Sequence, residues 1–132
     1  GVDEDTADLD MYARAWKVIG SVGRMAGDAK SFLIQKSLVG KNEVILCEMV
    51  PRTKGRDDAQ KRQLQLGQSI INEGLEQIAY RLEIPLVRLW DGKYTLSDGV
   101  HFDPADLDIV ASKIAEAYEK NLVPSNPYSD QK

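Results

Sequence analysis

Two short apolar runs, at 44–50 and 85–90, flank one long amphipathic segment, and this arrangement constrains the chain more than any other feature. Val44-Ile45-Leu46-Cys47-Glu48-Met49-Val50 is partly β-branched and lies between the turn residues Gly40-Lys41-Asn42 and Pro51. A run of that length and composition reads as a buried strand. Pro85-Leu86-Val87-Arg88-Leu89-Trp90 reads as a second, opening on proline where a strand tolerates it. Between them Leu64, Ile71, Leu75, Ile78 and Leu82 recur at helical spacing over 58–82. Strand, helix and strand in this order form a βαβ unit, so the two strands are expected to be parallel. Gly67 and Gly74 sit on or beside the helical stripe and predict a close approach of that helix to the sheet.

Two further helical stretches flank the unit. Leu9, Tyr12, Ala13, Trp16, Ile19 and Gly23 make one apolar stripe, and Gly27-Asp28 is expected to break that helix before Phe32 and Leu33. Asp103 followed by Pro104 reads as an N-cap and first helical position. Behind it Leu107, Val110, Ala111, Ile114, Ala117, Tyr118 and Leu122 complete a second stripe. Two strands are few for so many helices, because sheets commonly hold about five or six. The expected fold class is therefore α/β, with a parallel sheet in a three-layer α/β/α arrangement. That sheet would be incomplete in this chain and completed by another chain or segment. One domain is expected over 1–122, followed by a flexible tail over 123–132 with two prolines.

Composition removes several classes. The chain has 132 residues, 42% hydrophobic and 29% charged, as an ordinary globular domain has. The 17 Lys+Arg stand against 21 Asp+Glu, and a net charge of −4 argues against a non-specific nucleic-acid binder. Arg52-Thr53-Lys54-Gly55-Arg56, with Lys61 and Arg62, is the one basic concentration; without interleaved aromatics to stack bases it reads as a solvated loop. A single cysteine forms no internal disulfide, and Cys47 in the middle of an apolar run reads as an inert packing residue. No Cys/His cluster offers a zinc site, and no metal or organic cofactor is expected. No run approaches the ~20 apolar residues of a membrane span. The first residues, Gly1-Val2-Asp3-Glu4-Asp5-Thr6, lack the basic and apolar regions of a signal peptide.

The chemistry concentrates in Leu96-Ser97-Asp98-Gly99-Val100-His101-Phe102. Ligands of parallel α/β sheets bind beyond the carboxyl ends of the strands, where this loop falls. His101 is the sole histidine, and an imidazole that titrates near neutrality serves as general base and then general acid. Asp98, three residues earlier across a glycine, is spaced to bond one ring nitrogen and leave the other for a nucleophile. The same spacing also suits a loop aspartate capping a turn beside a histidine. Trp90 and Tyr94 flank the loop as candidate substrate-binding residues, with Trp90 equally suited to the core.

The region from Glu43 to Leu122 resembles the C-terminal half of the SGNH (GDSL-type) hydrolases. The resemblance rests on the strand ending in Pro51 and on Ile71-Asn72-Glu73 in the long helix. It continues through Ile84-Pro85-Leu86-Val87-Arg88-Leu89-Trp90-Asp91 to Asp98-Gly99-Val100-His101-Phe102 and the final amphipathic helix. It implies a flavodoxin-like domain that hydrolyses acyl or acetyl esters, with Asp98 and His101 as the last two members of a Ser-His-Asp triad. Gly-Asp-Ser, the family's nucleophile block, does not occur here. Asp3 stands where an asparagine oxyanion donor would be, and Asp103-Pro104-Ala105-Asp106-Leu107 replaces the usual segment after the histidine. The nucleophile is therefore expected from a segment or chain outside this sequence. Gly20-Ser21-Val22-Gly23 is the one glycine-flanked serine within it; it also reads as a helix-packing site. The alternative to an ester hydrolase is a non-catalytic SGNH-like interaction module that pairs its sheet edge with a partner or a second copy.

Overall fold

The computed structural model describes residues 4–36, 44–50, 57–89, 94, 96, 98 and 101–126. Among them the order is α1 (Glu4–Gln35), β1 (Leu46–Cys47), α2 (Asp58–Leu82), β2 (Leu86–Val87) and α3 (Pro104–Lys120). β1 and β2 pair in parallel, Leu46 beside Leu86 and Cys47 beside Val87. The chain is mostly helical around this two-stranded sheet, which corrects the expected three-layer, flavodoxin-like α/β/α sandwich.

Side chains end the ladder early. Leu46 and Glu48 donate their N–H groups to the carbonyls of Pro85 and Val87, at 3.0 and 2.9 Å. One step on, Leu89 N–H donates to the Glu48 carboxylate at 2.9 Å and not to a strand carbonyl. Asn72 of α2 takes the main chain of Met49: its Oδ1 accepts from Met49 N–H at 3.2 Å and its Nδ2 donates to Met49 C=O at 3.4 Å. Lys113 Nζ donates to Arg88 C=O at 3.2 Å. Backbone groups that would extend the strands are thus satisfied by buried or half-buried side chains, which backbone polarity allows as readily as a ladder.

The helices divide between the two faces. Ala26 of α1 and Leu75 and Ala79 of α2 bury against Ile84 and Leu86, with Val22, Val44 and Leu46 packed around them. Ala117 and Val110 of α3 cover Val87, Leu89 and Ile45 on the opposite face. α2 starts at an Asp57–Gln60 capping box, 2.8 Å one way and 3.1 Å the other. It ends at Glu83 in the left-handed conformation, φ 55°.

α1 is one unbroken helix of 32 residues, so Gly27-Asp28 is no break. A helix-interior glycine costs about 1 kcal/mol, and packing of the whole α1 face against α2 outweighs that. The two helices run side by side in the same direction. Arg62 meets Asp8 at 3.5 Å near their starts, and Lys30 Nζ donates to Leu82 C=O near their ends. Between these points a β-carbon added at Gly67 would stand 2.5 Å from Met11 Sδ, and one at Gly74 2.5 Å from Ile19 Cδ1. The two glycines thus admit α1, not the sheet.

The buried stripe of α1 is Ala15, Ile19 and Ala26; Leu9, Tyr12 and Trp16 are exposed. The α3 stripe is likewise split. Asp106, Val110 and Ala117 turn inward, while Leu107, Ile114, Tyr118 and Leu122 stay exposed. Apolar spacing alone marks a wider face than either helix buries here. Cys47 is exposed, in contrast to its expected burial. Val123–Asn126 continue past α3 with Pro124 buried, and 127–132 lie outside the described residues.

Candidate functional site

The loop after β2 is held at both ends by α3. Asp103 has the extended conformation of an N-cap, φ −70° and ψ 160°, and Pro104 begins the helix. Asp106, 2% exposed, turns its Oδ2 back to accept the N–H of Asp103 at 3.2 Å and that of Leu96 at 3.3 Å. Leu96 has φ 42°, a left-handed conformation that costs a leucine on the order of 1 kcal/mol. The Asp106 carboxylate holds it there.

Within that frame Asp98 clasps His101 twice. One carboxylate oxygen accepts the His101 main-chain N–H at 2.8 Å; the other lies 2.8 Å from ring Nδ1. A carboxylate only accepts, so the proton of this bond belongs to Nδ1, and Nε2 is left as the basic nitrogen. The main-chain bond fixes the turn and the ring bond fixes the tautomer. The imidazole is 80% exposed and the Asp98 side chain 49%, so both stand in water. An oriented imidazole of this kind can accept a proton from a hydroxyl or water brought to Nε2.

Of the two candidate substrate residues, Trp90 lies outside the described residues. Tyr94 packs with Val87, Leu89 and Ala117, and its ring meets Phe102 edge-to-face at 5.4 Å. Its hydroxyl is buried with no hydrogen-bond partner among the described residues. Ser21 is exposed on α1, on the opposite face of the sheet from α3, and Ser97 lies outside the described residues. Asp3 and the basic stretch 52–56 lie outside them as well. An apolar groove of about 340 Å³ lies at the carboxyl end of the strands, bounded by Val50, Leu89, Leu96, Phe102 and Val110.

No family model, curated protein or solved structure matches the chain.

Two positioning residues escaped the sequence reading. Glu48 carries the one charge in the run 44–50; buried, it holds Leu89 N–H and lies 4.0 Å from the Arg88 guanidinium. Asp106 was visible only as an acid at the third position of a proline-led helix, the position from which a side chain reaches back to the cap. Among the described residues no cluster of three or more His, Cys, Asp or Glu could hold a metal, and no helix is long and apolar enough to cross a membrane.

Proposed function

We propose that this chain supplies the acid–base half of an SGNH-type serine ester hydrolase, acting on acyl or acetyl esters. His101 is the general base toward a serine hydroxyl, and Asp98 orients it. The nucleophile and oxyanion donors come from a segment or chain outside this sequence. The observation that carries the reading is the double clasp of His101 by Asp98, at 2.8 Å on both bonds, directly ahead of a helix and after a parallel strand. A turn needs only the main-chain bond; the second fixes which ring nitrogen is basic, as proton transfer at Nε2 requires. The apolar groove beside the loop suits an acyl group.

In the reaction Nε2 takes the serine proton as oxygen attacks the ester carbonyl. The imidazolium, stabilised by Asp98, then returns that proton to the leaving alcohol. Water repeats the cycle on the acyl-enzyme. Exposure of the imidazole calls for a covering partner, since proton transfer and oxyanion stabilisation gain strength when water is excluded.

The test is labelling of the protein, in the assembly isolated from its source, with a fluorophosphonate, followed by intact mass of every chain. A serine adduct that disappears in His101→Ala and in Asp98→Asn is the expected result. Absence of any adduct, or an adduct unchanged by both substitutions, would overturn the assignment and favour the interaction module. That second reading draws support from the outer edge of β1, beside which no strand lies among the described residues.

A further inference from the structure

α1 carries a second apolar face, which α2 does not cover. Ala15, Ile19 and Ala26 are buried, while Leu9, Tyr12, Trp16 and Ile34, also at helical spacing, are 69%, 45%, 56% and 55% exposed. Gly20 and Gly27 lie on that same outward face. A β-carbon added at either would meet nothing within 4 Å, whereas one at Gly23, turned toward α2, would stand 3.5 Å from Ile78. Contacts within the chain therefore account for Gly23 and not for Gly20 or Gly27, although a helix-interior glycine costs about 1 kcal/mol. The outward face is bulky in its first half and bare in its middle.

Charge is divided along the same helix. From Glu4 to Asp10 the sequence holds Glu4, Asp5, Asp8 and Asp10 and no base. From Arg14 to Lys36 it holds Arg14, Lys17, Arg24, Lys30 and Lys36 against a single acid, Asp28. The helix macrodipole favours such a division only within the first and last turns. Asp8 and Asp10 lie beyond the first turn, and Arg14, Lys17 and Arg24 lie well before the last.

We infer that this face of α1 packs against the same face of a second copy of the chain, with the two helices antiparallel. In that arrangement Trp16 of each copy lies over the bare stretch between Gly20 and Gly27 of the other, and Leu9 comes level with Ser31. The pairing is two-fold, so every contact is made twice. The overlap from Leu9 to Ser31 is about 33 Å, roughly three heptads. It brings the acidic start of each α1 beside the basic end of the other. A parallel pair would instead set Trp16 against Trp16 and acid against acid. Opposite charges across an interface fix orientation as well as attract. α1 and α3 cover opposite faces of the sheet, so the dimer keeps the Asp98–His101 loop on its far side. The inference holds whether or not the assembly hydrolyses esters.

Sedimentation equilibrium of the full chain over a range of concentrations, at low and at raised salt, is the test. A monomer–dimer equilibrium is expected, with a dissociation constant that rises by roughly tenfold as salt screens the paired ends. Gly20→Glu fills the gap with a charged side chain, and Trp16→Ala removes the group that enters it. Each is expected to weaken the dimer at least tenfold. Both positions are exposed, and the space around Gly20 is open, so both variants keep the helical circular dichroism and the thermal midpoint of the parent monomer. A chain that stays monomeric at every concentration would overturn the inference. So would a dimer that Gly20→Glu leaves unchanged, because the contact would then lie elsewhere. A dimer that raised salt leaves unchanged or tightens would overturn it as well, by removing the charge pairing that sets the antiparallel order.

Discussion

Gly74→Ala and Gly67→Ala test the packing of α1 on α2, because the same change meets two different neighbours. Any glycine-to-alanine change inside α2 gains about 1 kcal/mol of helix propensity. At Gly74 the new methyl would stand 2.5, 2.6 and 2.9 Å from Cδ1, Cγ1 and Cγ2 of Ile19. Ile19 is 7% exposed, and a β-branched side chain in a helix is held to one χ1 rotamer, so it cannot swing away. The helices must separate instead, and overpacking of this kind costs about 1–3 kcal/mol. Three atoms inside 3.0 Å place Gly74→Ala toward the upper part of that range, for a net loss of roughly 1–2 kcal/mol after the propensity gain. At Gly67 the methyl would meet Met11 Sδ at 2.5 Å and Cγ at 2.8 Å. Met11 is half-buried and turns about three bonds, so it yields, and the propensity gain survives in part. Gly67→Ala is therefore expected within about 0.5 kcal/mol of the parent, on the favourable side. Urea denaturation of the three proteins measures both differences, with thermal midpoints separating the two variants by roughly 4–8 °C. Equal stabilities for the two variants, or a Gly74→Ala protein as stable as the parent, would refute the argument that Ile19 is a fixed wall.

Asn72→Ala leaves both main-chain groups of Met49 without their side-chain partner; with Met49 itself 48% exposed, water recovers part of the loss, and about 1–2 kcal/mol of destabilisation is expected by urea titration. Cys47 is exposed as a residue, but partial desolvation of its sulfur pushes the thiol up from its ordinary value, so its alkylation rate should climb to a higher pH than that of a peptide of residues 44–50. The sign for stability follows: this contribution is complete below the ordinary thiol value and is lost as pH rises through the folded-state value, which denaturation at alkaline pH with and without Cys47→Ser would show. Asp98→Asn, at an exposed pair, should change stability by less than about 1 kcal/mol, whereas Asp106→Ala, which frees the N–H groups of Leu96 and Asp103, should cost roughly 2–3 kcal/mol. Denaturation of both variants side by side tests that ordering.

The sequence was most readable where local rules and tertiary contacts agree. α2 spans 58–82 as its stripe predicts, Asp103-Pro104 opens α3, and the two apolar runs pair in parallel. It was misleading where a helix carries more apolar surface than one neighbour can cover. Tyr12 and Trp16 share spacing with Ile19, yet only Ile19 reaches α2, because Gly74 makes room for it. Strand length was overestimated because nothing in an apolar run announces that Asn72 or Glu48 will take the next main-chain group. In the loop, the Asp98–His101 spacing allowed the two hydrogen bonds that form, but Asp106, eight residues beyond Asp98, has no spacing rule that ties it to Leu96.

One carboxylate therefore has two employers. Asp106 cannot hold Leu96 unless the first turn of α3 is wound, and its bond to Asp103 helps to wind that turn. Opening of the helix start and release of the loop are then a single local event, ahead of any global unfolding. The placement of Leu96 is thereby tied to the equilibrium of that one turn. Every 1.4 kcal/mol added to or taken from the α3 start shifts that equilibrium about tenfold.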